Sequence, residues 1–181
     1  MRSLLAALLS LAAVGAAAPE LPDPLRDYRG WTLATPDPVP VPLAFWVLCR
    51  KPDRQEIEAA ERAHGEHAHH AMRVFVNEFA ASHFSDLAAR LPAGSIVVKE
   101  KLEGADTDAV AAVAAMIKHG PGFSPATGDW EFVYVGERGE RAAGPALQAH
   151  CGSCHASSKS TDWLFRTYLS RGDDAREAGR R

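Results

Sequence analysis

Twenty Lys and Arg against 23 Asp and Glu give this 181-residue chain a net charge of −3 at pH 7. No basic stripe or aromatic–basic interleaving accompanies that mild acidity, so nucleic-acid binding has no support. With 46% apolar residues, and roughly 160 residues once a short leader is set aside, the chain suits one domain around a single core.

Met1-Arg2-Ser3 is a short positive start, and Leu4 to Ala18 is a run of Leu, Ala, Val and Gly broken by one Ser. That pattern, with small residues at Gly15 to Ala18, predicts a signal peptide over residues 1–18. The run is too short to span a bilayer, so no stable membrane insertion is expected after cleavage. Losing residues 1–18 removes Arg2 alone among the charges and moves the net charge from −3 to −4.

Seven prolines between Pro19 and Pro42 exclude regular helix and central strand and predict an extended surface segment. Leu43 to Cys49, LAFWVLC, is a buried strand or two helical turns. Asp53 to His64 is expected to be helical, with Asp53 capping and Glu56 at the capping-box position. His64, His67, His69 and His70 form a loose cluster that reads either as a solvated loop or as a metal or distal ligand source.

Met72 to Asn77 alternates as a strand, and Phe79 to Leu91 predicts an amphipathic helix with Phe79, Phe84, Leu87 and Leu91 on one side. Pro92-Ala93-Gly94 is a turn. Ser95 to Leu102, SIVVKEKL, reads as a strand leaving the core, with Lys99 and Lys101 on one face and Glu100 on the other. Ala109 to Lys118 suits helix or strand equally. Asp129 to Val135, DWEFVYV, is the clearest strand. Pro145 to Cys151 predicts a short helix, and Thr161 to Ser170 a second one with Trp163, Leu164, Phe165 and Tyr168 inward. Residues 171–181 read as a flexible charged tail.

Cys151-Gly152-Ser153-Cys154-His155 is C-x-x-C-H, the attachment sequence of c-type haem. Two thiols three positions apart on a helical turn can each form a thioether, and His155 follows as the iron ligand. A zinc site would need further ligands at matching spacing, and the other cysteine is the distant Cys49, expected as a buried small apolar residue. Export fits covalent haem, so a periplasmic location is expected. Met72 and Met116 sit in apolar runs and read as core, leaving the distal side of the iron open.

DYRGW (Asp27 to Trp31), RVFVN (Arg73 to Asn77), PAGSIVVKEKL (Pro92 to Leu102), MIKHGPGF (Met116 to Phe123), GDWEF (Gly128 to Phe132) and CGSCHA (Cys151 to Ala156) occur in that order. With Asp162 and Phe165 they resemble the cytochrome P460 family, over about Asp27 to Phe165. The resemblance implies an α+β fold, a mainly antiparallel sheet with flanking short helices over residues 19–170, often as a homodimer. It also implies one covalent haem c with an open distal side. Members like the founding enzyme oxidise hydroxylamine through a haem cross-linked to a lysine, whereas a sister group similar to cytochrome c′-beta binds nitric oxide in a Phe-lined pocket.

On that resemblance Cys151, Cys154 and His155 hold the haem, and Lys99 is the better cross-link candidate, with Arg73 as a distal arginine. Hydroxylamine oxidation also needs a distal base. No carboxylate occurs in GPGFSPATG before Asp129, so Glu131 is the candidate base. Phe123, with Phe75 and Phe79, suits an apolar pocket for a small neutral molecule. The expected activity is therefore binding of a small ligand such as nitric oxide, or electron transfer with an unidentified redox partner. The alternative is a hydroxylamine-oxidising enzyme.

Overall fold

β-branched and aromatic residues fill the stretches 69–76, 96–102, 110–118 and 130–136, and each becomes a strand of one antiparallel sheet. The computed structural model describes residues 21–42, 55, 59, 69–104, 106–136, 139, 141–142, 144–166 and 168–169. Its strands are β1 (Thr32–Leu33), β2 (Val39–Pro42), β3 (His69–Val76), β4 (Ile96–Leu102), β5 (Val110–Lys118), β6 (Trp130–Gly136) and β7 (Arg141–Ala142). Among the elements described in full, α1 (Glu78–Ala81) and α2 (Pro145–His155) are the α-helices that accompany them.

β3, β4, β5, β6 and β7 lie side by side, while β1 and β2 share the outer edge of β3. Pro40 and Pro42 sit in β2, an edge strand, where a missing N–H costs no ladder bond. Leu43 to Cys49, the side chains of the histidine cluster and the tail lie outside the described residues. Of the expected helix Asp53 to His64, Gln55 and Ala59 are described, both helical and exposed.

The sheet buries both faces. Val74, Val76, Val97, Met116, Trp130 and Phe132 pack on one side with Phe84, Leu91, Trp163 and Leu164. Phe75, Val98, Val113, Val133 and Val135 pack on the other with Leu25 and Tyr28. β4 runs through the middle, so its charges are not a strand end. Glu100 is 2% exposed and Lys101 3%. Burial of a carboxylate requires partners. Glu100 accepts from the Tyr28 hydroxyl at 2.5 Å and from Arg29 Nε at 2.8 Å. Burial, and then the Glu100 carboxylate, push the Tyr28 hydroxyl well above its ordinary pKa.

β5 resolves the ambiguity of its alanine-rich stretch in favour of strand. Seven of its residues pair with β4 on one side and seven with β6 on the other, which small side chains permit where sheet faces carry bulky neighbours.

The helix expected over Phe79 to Leu91 is one turn only. Asn77 caps it through Ala80 N–H, and α1 ends at Ala81. Beyond it the buried Arg166 guanidinium gathers the carbonyls of Phe84, Asp86, Leu87 and Ala89 at 2.9–3.2 Å. A helix would have used those carbonyls internally. The terminal N–H donors of a buried guanidinium need acceptors, and supplying them wins over local propensity.

The second expected helix, Thr161 to Ser170, is also replaced. A 3-10 segment, Ala156–Thr161, ends in Asp162 and Trp163 with φ of +56° and +65°. Neither residue is glycine, and left-handed backbone at such positions costs about 1–3 kcal/mol each.

Candidate functional site

Helix α2 carries the C-x-x-C-H run whole. Gly144 at φ +86° admits the chain, and Pro145 supplies a preset first-turn φ. Helical spacing then puts Cys151, Cys154 and His155 on one side. Two contacts dock α2 on the sheet. The Gln148 side chain receives Phe132 N–H at 2.9 Å and donates to Phe132 C=O at 2.7 Å, completing the outer edge of β6 as a strand would. Gly152 faces Thr127, where an added Cβ would stand 2.8 Å from Thr127 Cγ2, so only glycine permits the approach.

Between α2, the sheet and the C-terminal segment lies a cavity of about 360 Å³. Cys151, Cys154 and His155 all line it. Apolar walls come from Val74 and Val97, from Ala114 and Met116, from Phe132, and from Leu164 and Phe165. Lys99 and Lys101 line it from the central strand, with Tyr134, His150 and Tyr168. No carboxylate is among these lining residues.

His155 is fixed from three directions. Its ring lies 5.0 Å from Phe132 and 4.9 Å from Phe165, and its Nδ1 is 2.6 Å from the Trp163 carbonyl oxygen. A carbonyl only accepts, so Nδ1 bears the proton. Burial, with a smaller push from Lys99, brings the imidazole pKa down to about 4 against the pull of that hydrogen bond. The ring is therefore neutral near pH 7, and Nε2 keeps its lone pair. This is how metal-binding histidines are usually arranged.

The other expected site residues lie elsewhere. Alternation sets Arg73 and Glu131 on the sheet face opposite Lys99. Arg73 pairs with Asp108 at 2.6 Å, and Glu131 with His119 Nε2 at 2.7 Å. Phe123 is 53% exposed and stacks on His119 at 3.8 Å, outside the cavity. Phe75 meets Tyr28 on the far face, and Phe79 is 52% exposed. The structure therefore does not bring Arg73, Glu131 and Phe123 to the cavity: the pleat points the first two away, and the loop after β5 carries Phe123 outward. Met116 has both roles, packing in the core and lining the cavity.

Three contributors had little or no signal in the chain. Tyr134 follows from alternation with Phe132. The backbone carbonyl of Trp163 and the amide of Gln148 depend on positions far apart in sequence, and no local pattern announces them.

One nitrogen with an available lone pair and two sulfurs, facing one cavity with apolar walls, form a donor set suited to a thioether-linked haem. The volume falls within the roughly 300–1,000 Å³ of small-molecule and cofactor sites. These residues fit the group. The family model for cytochrome P460 matches residues 52–166, from before β3 to Arg166, and the match takes in the C-x-x-C-H helix. No curated protein matches the chain. That family implies haem binding, and with well over half its length matched the chain belongs to the cytochrome P460 family.

Proposed function

We propose that the protein is an exported, periplasmic cytochrome with one covalent haem c, His155 as proximal ligand and an open distal side. It binds a small molecule such as nitric oxide, transfers electrons to a redox partner, or does both, and it works as a homodimer. The observation that carries this reading is the neutral His155, its Nδ1 held by Trp163 C=O, in one apolar cavity with both motif cysteines. When bound, the haem supplies an iron coordination position and a one-electron couple.

The chain's own residues do the rest. Cys151 and Cys154 tether the group to α2, and His155 presents Nε2 to the metal. Val74, Val97, Met116 and Phe132 give the cavity apolar walls, which favour a small neutral ligand over a charged one. Expression in a host competent for cytochrome c maturation tests the reading. A denaturing gel should retain haem stain with the chain and lose it in Cys151→Ala/Cys154→Ala. The reduced protein should take up carbon monoxide and nitric oxide. A six-coordinate ferrous spectrum indifferent to carbon monoxide would instead indicate a distal histidine or methionine and an electron carrier.

The second reading, a hydroxylamine-oxidising enzyme with a lysine-cross-linked haem, is favoured by the presence of Lys99 in the cavity. It lacks the expected base, since Glu131 stands across the sheet. A ferrous Soret band displaced far to the red, together with turnover lost in Lys99→Ala, would establish it.

A further inference from the structure

The Trp163 carbonyl that holds His155 belongs to a backbone segment under strain, and something must keep it there. Asp162 is its anchor. Its carboxylate is 0% exposed, accepts Leu91 N–H at 2.9 Å and meets Lys118 Nζ at 2.8 Å, with the exposed Arg90 farther off at 3.7 Å. The Asp162 carbonyl accepts the Trp130 indole N–H at 2.9 Å, and Trp163 N–H donates to Ser158 C=O at 2.7 Å. Lys118 is itself seated: Nζ donates to Gly128 C=O at 2.8 Å and lies 4.8 Å from the Trp130 ring centre. Gly128 has no side chain where the Trp163 indole packs.

We propose that the Lys118–Asp162 ion pair is a positioning device for the proximal ligand: it holds Trp163 C=O against His155 Nδ1 and thereby sets the basicity of Nε2. The inference rests on the haem reading above. A firm hydrogen bond at Nδ1 gives the imidazole partial imidazolate character, strengthens its bond to iron and favours the ferric state. Lys118 comes from the end of β5 and Asp162 from the segment after α2, so the pair also ties the sheet to the ligand-bearing end of the chain.

A bare charge effect gives different results, which makes the proposal testable. The experiment uses the holoprotein, with the iron–histidine stretching frequency of the ferrous form and the reduction potential as readouts. Asp162→Asn keeps the shape and the Leu91 contact but loses the ion pair; it should lower the frequency and raise the potential. Lys118→Met removes a positive charge, yet should lower the frequency as well. Lys118→Arg should restore it. Wild-type frequencies in both Asp162→Asn and Lys118→Met overturn the proposal even if potentials move, because a remote charge shifts a potential without loosening the ligand. Should Asp162→Asn fail to fold, the two Lys118 variants decide. Failure of the haem reading itself appears in the unmutated protein as absent haem stain and removes both conclusions.

Discussion

His155 shows how one side chain acquires its chemistry from its surroundings. An exposed imidazole near pH 7 is partly protonated, and a proton on Nε2 would block a metal. Burial among Phe132 and Phe165 removes that competition, and the Trp163 carbonyl selects the tautomer. Glu131 shows the converse. Its carboxylate is of the right type for a base, but it pairs with His119 behind the sheet. Glu131→Gln should therefore leave nitric oxide and carbon monoxide affinities within about twofold, the scale of an uninvolved surface change. Lys99→Ala, at the cavity, should alter both affinities and the ferrous spectrum. Ligand titrations of the two variants side by side check the assignment, and a larger effect from Glu131→Gln would refute it.

At the level of elements, the site depends on how closely α2 and the loop after α1 approach the sheet. Gly152→Ala would push Cβ against Thr127 Cγ2, and overpacking of this kind costs about 1–3 kcal/mol. Thr127→Ser removes that methyl group, so the double variant should recover much of the loss in a urea titration. No recovery would mean that the strain arises elsewhere. Arg166 holds a larger share of the fold. Arg166→Met would leave the carbonyls of residues 84, 86, 87 and 89 without their donor; the buried Phe84 carbonyl then costs about 1–3 kcal/mol, and the other three, partly open to water, less. Loss of the fold, or protease cleavage between Ser82 and Arg90 under native conditions, is the expected outcome.

For the molecule as a whole, two tyrosines that burial holds neutral, Tyr28 on the far face of the sheet and Tyr168 at the cavity, bear on the alkaline limit, and Tyr28 is the one paired with a carboxylate. The folded state holds Tyr28 neutral beside Glu100, whereas in the unfolded chain the hydroxyl ionises near its ordinary value of 10. A pKa raised by folding contributes stability that is present below pH 10 and is lost as pH rises beyond it. The slope is at most about 1.4 kcal/mol per pH unit for one group. Tyr28→Phe should flatten this decline above pH 10 in denaturant titrations, at the cost of one partner to Glu100. An unchanged slope would place the alkaline sensitivity in another group.

Sequence alone determined what depends on near neighbours: the C-x-x-C-H helix, the strands at 72–77, 95–102 and 129–135, the turn at Gly94, and family membership. Spacing along the chain carries those directly. It also placed Lys99 and Lys101 on one face, because the period of a strand is fixed at two. Which face of the sheet would meet α2 was not local information: alternation left either face open to Glu131, and only the folded sheet turns Arg73 and Glu131 away from Lys99. Two helices were expected where Arg166 and Asp162 instead draw backbone groups from about 70–80 residues away into non-helical paths. Local propensity is worth tenths of a kcal/mol per residue, and satisfying a buried charge is worth several, so tertiary structure decided those segments. The same long-range hydrogen bonding placed the Trp163 carbonyl behind His155, where only the folded chain reveals it.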